Sequence, residues 1–183
     1  MAKYRPIQTA RQFAFAQRLT MAKERMLKSI AGLSQYTICN EKIWGNWTIK
    51  DSFGFAVTWN KEYRLAIRAI LADDYSLYAR PELQDCDWNE LRIEEKRAWT
   101  WRRIRADIER DCVAGLEMIL SLRPRDFKRS GLTPWTVLPP KKMLALNQTN
   151  IKRVETLITY QWRHMNYRAL LIEKWRKKES RKA

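Results

Sequence analysis

The chain has 183 residues, of which 45% are hydrophobic, and its formal net charge at pH 7 is +16. This length and hydrophobic content exclude a disordered chain and predict one compact domain over residues 1–183. Lys and Arg number 36 against 20 Asp and Glu, so the chain should attract polyanions such as nucleic acid. Many small proteins are basic without a specific partner, and that alternative stays open.

The sequence also indicates where the protein works. Its apolar runs fall far short of the roughly 20 residues that cross a bilayer, so we expect neither a transmembrane helix nor a membrane partner. The N-terminal stretch lacks the apolar region and the cleavage site of a secretion signal. Cys39, Cys86 and Cys112 have no CxxC spacing, which favours neither disulfides nor a zinc site. We therefore expect a cytoplasmic protein.

Apolar residues at steps of three and four predict the first two helices. The first spans Thr9 to Leu33, with Gly32 near its end as a stop signal. The second spans Asp51 to about Ala72. Thr48 is its predicted N-cap, and Asp51 completes an acidic variant of the capping box. Residues 34–47 break the periodicity and predict a loop.

Two further long helices and two long connections follow. Residues 73–90 mix acids, a proline and aromatics, which predicts a crossover with a short helix near Trp88. The third long helix runs from Trp101 to Leu122 behind Thr100 as its N-cap. A proline-bearing crossover covers residues 130–150. The fourth helix spans residues 150–178, and a basic C-terminal tail begins at about residue 176.

Four amphipathic helices with two long connections predict an all-α fold, namely an antiparallel four-helix bundle. No stretch alternates in the manner of a β-strand. Cys112 lies on the apolar stripe of the third helix and is predicted to be buried, whereas Cys39 and Cys86 are predicted in loops. A binding site in such a bundle lies between facing helices.

Four stretches of the chain resemble the DinB-like superfamily and, within it, the ClbS/DfsB group. They are LKSIAGL, GNWTIKDSFGFAVTW, WTWRRIRADIERDCVAGLEMILSL followed by GLTPW, and LITYQWRHMNYRALLIEKW, in the order and approximate spacing of that family. The resemblance covers nearly the whole chain and implies a DinB-like four-helix bundle. Better known members carry a divalent metal on three histidines, one on the second helix and two at i, i+4 on the last. Several transfer low-molecular-weight thiols to electrophiles.

The resemblance places the three family histidines on Phe55, His164 and Arg168 of this chain. Phe has no lone pair and an always-charged Arg repels a cation, so we expect no metal and no other cofactor. His164 is the only histidine in the sequence. It is either a surviving general base or polar anchor, or a structural residue that is hydrogen-bonded to a neighbour.

Aromatic residues around these positions form the candidate ligand-binding site. The resemblance implies that eight residues converge on one cavity: Phe55, Trp59, Tyr63, Tyr160, His164 and Arg168, with Trp101 and Trp175 beside them. Aromatic walls with one Arg and one His suit a flat or anionic ligand, although an aromatic stripe at this spacing also occurs as plain core packing. Arg168 is expected to be buried and paired with carbonyls, a bound anion or a carboxylate such as Asp51 or Glu62.

Basic residues are denser in three places along the chain. These clusters predict either non-specific nucleic-acid binding through a basic surface or a solvated face. The first lies on the predicted third helix, the second after it and the third at the C-terminus: Arg97, Arg102, Arg103, Arg105 and Arg110; Arg123, Arg125, Lys128 and Arg129; Lys174, Arg176, Lys177, Lys178, Arg181 and Lys182.

Two classes of function stay open, and no catalytic residue is assigned. The first is a degenerate DinB-like protein linked to stress or damage protection, which binds a small anionic or electrophilic ligand, a protein or nucleic acid. The second is a metal-independent hydrolase or transferase that acts on an electrophilic small molecule, as the resemblance to ClbS-type proteins implies. Those relatives carry a tyrosine where this chain has Phe55, so the hydroxyl of that chemistry is missing here. A homodimer is left open.

Overall fold

A computed structural model describes residues 9–75, 88–133 and 151–181 of the chain. These ranges are mostly helical, which confirms the predicted all-α class. They contain six α-helices: α1 (Ala10–Ser29), α2 (Gln35–Asn40), α3 (Ile49–Ala72), α4 (Trp88–Arg97), α5 (Trp101–Ser121) and α6 (Val154–Glu179). None of these helices is long and apolar enough to cross a membrane.

The four long helices pack around a common core. α1 contacts both α5 and α6, and α3 contacts the same two helices. Full burial of a large apolar side chain stabilises the fold by about 1.5–3 kcal/mol, so this core supplies the main driving force for folding. Its fully buried side chains come from every long helix: Leu19, Met26, Phe53, Ile67, Ile104, Ile119, Leu157, Met165 and Ile172.

Two of these helices begin at the caps that the sequence predicts. The backbone N–H of Asp51 donates to Thr48 Oγ1 at 3.1 Å, and the backbone N–H of Thr48 donates to Asp51 Oδ2 at 2.9 Å. This reciprocal pair confirms the capping box of α3. Thr100 caps α5 through a single hydrogen bond, because its Oγ1 accepts from the backbone N–H of Arg103 at 3.2 Å. The predicted short helix near Trp88 is confirmed as α4.

Two short antiparallel strand pairs correct the expectation that the chain has no strands. β1 (Lys42–Trp44) pairs with β2 (Trp47–Thr48), and β3 (Ser130–Leu132) pairs with β4 (Ile151–Arg153). Strands of two or three residues are too short to show an alternating pattern in the sequence. Gly45 turns the first hairpin with a φ of 54°, a left-handed conformation that favours glycine.

Several of the helix and loop boundaries predicted from the sequence are wrong. Residues 34–47 contain α2 and the β1–β2 hairpin rather than a loop, and Cys39 therefore lies in α2. α1 ends at Ser29 instead of Leu33, and α6 begins at Val154 because β4 occupies the three residues before it. Residues 134–150 of the predicted second crossover lie outside the described residues, as does Cys86.

Cys112 is buried on α5, as its place on the apolar stripe predicts. Its exposed fraction is 2%, and burial raises the pKa of the thiol to about 12. A thiol in that state is protonated at neutral pH and is a poor nucleophile. The burial of Cys112 is consistent with a packing role in the core.

Candidate functional site

α3 and α6 bring the six predicted ligand-binding residues together. Each helix presents three of them at steps of four residues, which places them on one face. The His164 ring lies at the centre, with ring centroids 5.9 Å from Phe55, 5.9 Å from Trp59 and 5.4 Å from Tyr63. Tyr160 packs against Tyr63 at 5.7 Å. We call these five residues the aromatic cluster, and Arg168 lies beside it.

Trp101 and Trp175 do not join the aromatic cluster, contrary to expectation. Trp101 packs edge-on against Phe53, with ring centroids 5.0 Å apart. Trp175 packs against the main core from a partly buried position. Among the described residues, no ring contact connects either tryptophan to His164 or its neighbours. The site is therefore smaller than the resemblance implies and lies between α3 and α6.

His164 is half-buried and hydrogen-bonded, which agrees with the structural alternative for this residue. The Tyr63 hydroxyl lies 3.0 Å from His164 Nε2. Burial, and then the nearby charge of Arg168, lowers the pKa of His164 to about 4. Burial also raises the pKa of Tyr63 well above its usual value. At neutral pH the imidazole is therefore uncharged and the Tyr63 hydroxyl keeps its proton.

Arg168 is buried, as helical phase predicts, with an exposed fraction of 6%. Aromatic faces surround its guanidinium, whose central carbon lies 4.1 Å from the Phe55 centroid, 4.7 Å from Trp47, 5.6 Å from Trp44 and 5.7 Å from Tyr167. Nη1 is buried and has no hydrogen-bond partner among the residues that the structure describes. Burial lowers the pKa of Arg168 to about 10, so the group is still a cation at neutral pH.

The expected carboxylate partners of Arg168 are engaged elsewhere. Asp51 caps α3 and lies 3.7 Å from the Nε atom of Arg97. Glu62 is buried on α3 but forms no ion pair with Arg168 within the described part of the chain. The prediction that either acid neutralises Arg168 was wrong. Helical phase places a residue on a face, but it does not determine which neighbouring side chains cover that face.

The β1–β2 hairpin supplies two site residues that the sequence analysis missed. Trp44 packs edge-on against Trp47 at 5.3 Å, and Trp47 packs against Phe55 at 5.1 Å. α4 also holds Trp47, because Trp47 Nε1 donates to Glu90 Oε1 at 3.0 Å. The signal in the sequence is the Gly45–Asn46 dipeptide between two tryptophans, which is typical of a two-residue hairpin turn.

A surface cleft of about 280 Å³ opens beside this hairpin, lined by Trp44, Gly45, Asn46, Trp47 and Glu90. Trp44 and Trp47 also contact the Arg168 guanidinium. The rings that cover the buried cation therefore also form a wall of an open cleft. Trp44 is 52% exposed, so its ring has solvent on one side.

The three positions that the resemblance maps onto metal-binding histidines lie side by side. Phe55 contacts both His164, at 5.9 Å between ring centroids, and Arg168, at 4.1 Å. These residues do not fit a divalent metal, because only His164 offers a lone pair. Across residues 9–75, 88–133 and 151–181, no group of three or more His, Cys, Asp or Glu side chains could hold a metal ion.

Many residues of the predicted basic clusters form ion pairs, ring contacts or hydrogen bonds within the protein. Arg97 ends α4 instead of lying on the third long helix, and it pairs with Glu94. On α5, Arg103 lies 3.7 Å over the ring of Trp99. Arg129 Nη1 donates to the carbonyl oxygen of Leu71 at 2.7 Å. The number of Lys and Arg residues therefore overstates the charge available to a partner.

Comparison of the chain with models of protein families, with curated proteins and with solved structures gave no match. The resemblance to DinB-like proteins therefore stays a prediction that depends on the quoted sequence motifs.

Proposed function

We propose that the chain is a DinB-like antiparallel four-helix bundle that has lost its metal site and binds a small anionic ligand. Two observations support the architecture. The four long helices pack around one core, and the three positions that correspond to the family's histidines converge on one side of α3 and α6. The proposed role remains linked to stress or damage protection, as the resemblance implies.

Arg168 is the observation that carries the proposal. A buried guanidinium is expensive when no carboxylate compensates its charge. Attraction to an aromatic face recovers about 0.5–2 kcal/mol, but it leaves Nη1 without an acceptor. A carboxylate or phosphate at this position would accept that hydrogen bond and neutralise the charge. A core that needed only apolar filling would not require an arginine here.

The rings around Arg168 favour a flat anion over a small spherical one. Phe55, Trp44 and Trp47 offer faces and edges on which an aromatic ring can pack. Neutral His164 adds a polar group without adding a second charge. We propose that the ligand enters from the cleft beside the β1–β2 hairpin, with rotation of the half-exposed Trp44 ring.

The alternative proposal, a metal-independent hydrolase or transferase, has less support. Phe55 lacks the hydroxyl that ClbS-type relatives carry at this position. The groups near Phe55 that could serve as a general acid or base are the side chains of His164 and Tyr63, and they are hydrogen-bonded to each other at 3.0 Å. A general base must reach the proton that it removes, and this pairing occupies His164 Nε2.

The test compares the thermal stability of the wild type and Arg168→Met in the presence of benzoate. Methionine keeps the volume of the arginine stem and removes the charge. We expect the variant alone to be as stable as the wild type or more stable, because a buried cation without a carboxylate partner is removed. Benzoate at a hundredfold its Kd should raise the wild-type Tm by about 5–10 °C and leave that of the variant unchanged.

Matched probes and a second variant complete this experiment. Benzylamine carries the same ring with the opposite charge and should not raise the Tm of the wild type. Arg168→Lys keeps the charge but loses the planar fork, so its response to benzoate should be weaker than that of the wild type. A benzoate response that survives in Arg168→Met would contradict the proposal. So would a loss of about 3–5 kcal/mol in the stability of that variant, which would show a structural role.

A further inference from the structure

The outward face of α6 is a basic surface. α6 is described over its whole length, and its exposed positions recur at steps of three and four residues. Four of the six are cations and none is an acid. We call this face the basic stripe, and it consists of Arg163, Tyr167, Leu170, Lys174, Lys177 and Lys178.

Two of the three acids of α6, Glu155 and Glu173, form ion pairs with α1. Glu155 forms an ion pair with Arg11 on α1. Glu173 forms an ion pair with Arg25, also on α1, with 2.8 Å between Nη2 and Oε2. These contacts direct Glu155 and Glu173 toward α1. Arg25 and, to a smaller extent, the nearby Lys177 lower the pKa of the Glu173 carboxyl, so the partial compensation of the stripe is centred on Lys177. A net charge of +16 makes the stripe part of a strongly positive field.

Exposed aromatic rings accompany this charge. Tyr167 is 51% exposed within the stripe, and Trp44 of the β1–β2 hairpin is 52% exposed. Both rings approach the same guanidinium, that of Arg168, at 5.7 and 5.6 Å. The edge-on contact with Trp47 also holds Trp44 in place. Two exposed rings next to a row of cations suit the stacking of unpaired bases.

We propose that the basic stripe and Trp44 bind single-stranded nucleic acid. The cations contact successive phosphates while bases stack on Trp44 and Tyr167. The stripe extends about 22 Å from Arg163 to Lys178, since an α-helix rises 1.5 Å per residue. An anionic membrane is disfavoured, because a membrane-surface helix inserts a broad apolar face and that face of α6 is buried in the core.

The test measures the binding of a fluorescein-labelled 12-nucleotide oligothymidine by anisotropy over a range of salt concentrations. Each engaged cation contributes about −0.7 to the slope of log K against log salt for a single strand, so the stripe predicts a slope of roughly −2 to −3. Lys174→Ala should reduce the magnitude of that slope by about 0.7. Trp44→Ala should weaken binding roughly tenfold with the slope unchanged, and Trp44→Phe should retain most of the affinity.

Matched controls come from other exposed positions. Arg102→Ala removes one exposed cation from α5, and Phe13→Ala removes an exposed ring from α1; neither should change the affinity or the slope. Circular dichroism melts check that every variant is folded. The proposal is overturned if oligothymidine does not bind at about 50 mM salt, where phosphate contacts are strongest. It is also overturned if Arg102→Ala acts like Lys174→Ala, or if a duplex binds as tightly and Trp44→Ala weakens both equally.

This inference does not depend on the proposed small ligand. The oligothymidine test leaves Arg168 in place, and the benzoate test leaves the cations of the stripe in place. Failure of either experiment therefore leaves the other interpretable.

Discussion

At the scale of single residues, the resemblance to DinB-like proteins predicted which side chains of α3 and α6 meet, and helical spacing is consistent with that prediction. Phe55, Trp59 and Tyr63 are four residues apart, and so are Tyr160, His164 and Arg168; two such rows on facing helices come together. The hairpin tryptophans could not be predicted in this way. Their position depends on how the β1–β2 hairpin packs on α3 and α6, which is a tertiary contact without a local sequence pattern.

The groups that surround Arg168 also could not be predicted from the sequence. The cost of a buried charge predicted pairing with a carboxylate, with backbone carbonyls or with a bound anion. The guanidinium lies between aromatic rings. Electrostatic reasoning indicates that a buried cation needs compensation. It does not distinguish a carboxylate of the chain from the π faces of neighbouring rings and an anion supplied from outside.

The lowered pKa of His164 gives a pH prediction for the free energy of unfolding. The ordinary imidazole pKa of 6.5 falls to about 4 in the folded protein, so between these values the unfolded chain binds the proton more tightly. Stability should therefore be constant above about pH 6.5 and fall as the pH drops below it, by up to about 1.4 kcal/mol per pH unit. Urea unfolding at pH 5, 6 and 7 measures this slope.

His164→Gln is the variant that isolates this contribution, because the chain contains no other histidine. The difference in unfolding free energy between the wild type and the variant should shrink as the pH falls from 7 to 5. Tyr63→Phe keeps the imidazole and removes its hydrogen-bond partner, and it should reduce stability by about 0.5–1.5 kcal/mol at pH 7. A difference between wild type and His164→Gln that does not change with pH would contradict the lowered pKa.

At the scale of secondary-structure elements, helices with long periodic stripes and local caps were predicted within a few residues. Thr48 and Thr100 mark the starts of α3 and α5 by hydrogen bonds between residues three positions apart, so the signal lies within the sequence itself. The strand pairs were missed, because β3 and β4 are far apart in the chain and each has only three residues. Pairing between distant short segments leaves no periodicity to detect.

α3 and α5 are joined by a buried ion pair that the sequence did not reveal. Arg64 forms a salt bridge with the carboxylate of Asp111, and its Nη1 donates to the Asp111 carbonyl oxygen at 3.1 Å. Both side chains are buried, with exposed fractions of 8% and 3%. Arg64 follows Tyr63 by one position, so helical phase turns it away from the aromatic cluster toward α5.

Removal of one partner of this pair should be far more costly than removal of both. Asp111→Ala leaves the Arg64 charge buried and should lower the free energy of unfolding by about 3–5 kcal/mol, as measured by urea denaturation. The double variant Arg64→Met with Asp111→Leu should recover most of that loss, because no charge is left uncompensated.

Glu173→Ala serves as the surface control for this comparison. It breaks the ion pair with Arg25, in which the Arg25 side chain is 43% exposed and the Glu173 side chain is 34% exposed. We expect the variant to lower the free energy of unfolding by about 1 kcal/mol or less. If Asp111→Ala is as mild as Glu173→Ala, the buried pair does not hold α3 and α5 together.

At the scale of the whole molecule, the sequence predicted the fold class because four separate stripes repeat the same helical period. The arrangement of those helices is a tertiary property. The number of helices and their long connections predicted an antiparallel four-helix bundle, and only the DinB-like arrangement depended on the resemblance. The structure adds that Phe55, His164 and Arg168 are neighbours. Phe55 of α3 thus meets two residues of α6 that lie four positions apart, which is consistent with the proposed degenerate metal site.

The proposed loss of a metal site predicts that the fold is independent of metal. Purified wild type should contain no stoichiometric zinc, nickel or iron by elemental analysis, and EDTA should leave its Tm unchanged. The physical reason is that Phe55 offers no lone pair and Arg168 places a positive charge where a cation would sit. About one metal ion per chain in the wild type would contradict this prediction.

Reintroduction of the missing ligands tests the same idea in the opposite direction. The double variant Phe55→His with Arg168→His would present three imidazoles together with His164, which is the number that zinc takes in sites with one open position. Zinc should then raise the Tm of the double variant and leave the wild type unchanged, since binding only to the folded state stabilises it. His164→Gln in that background should abolish the response. If the double variant is folded but zinc does not change its Tm, these positions do not correspond to the three metal-binding histidines of DinB-like proteins.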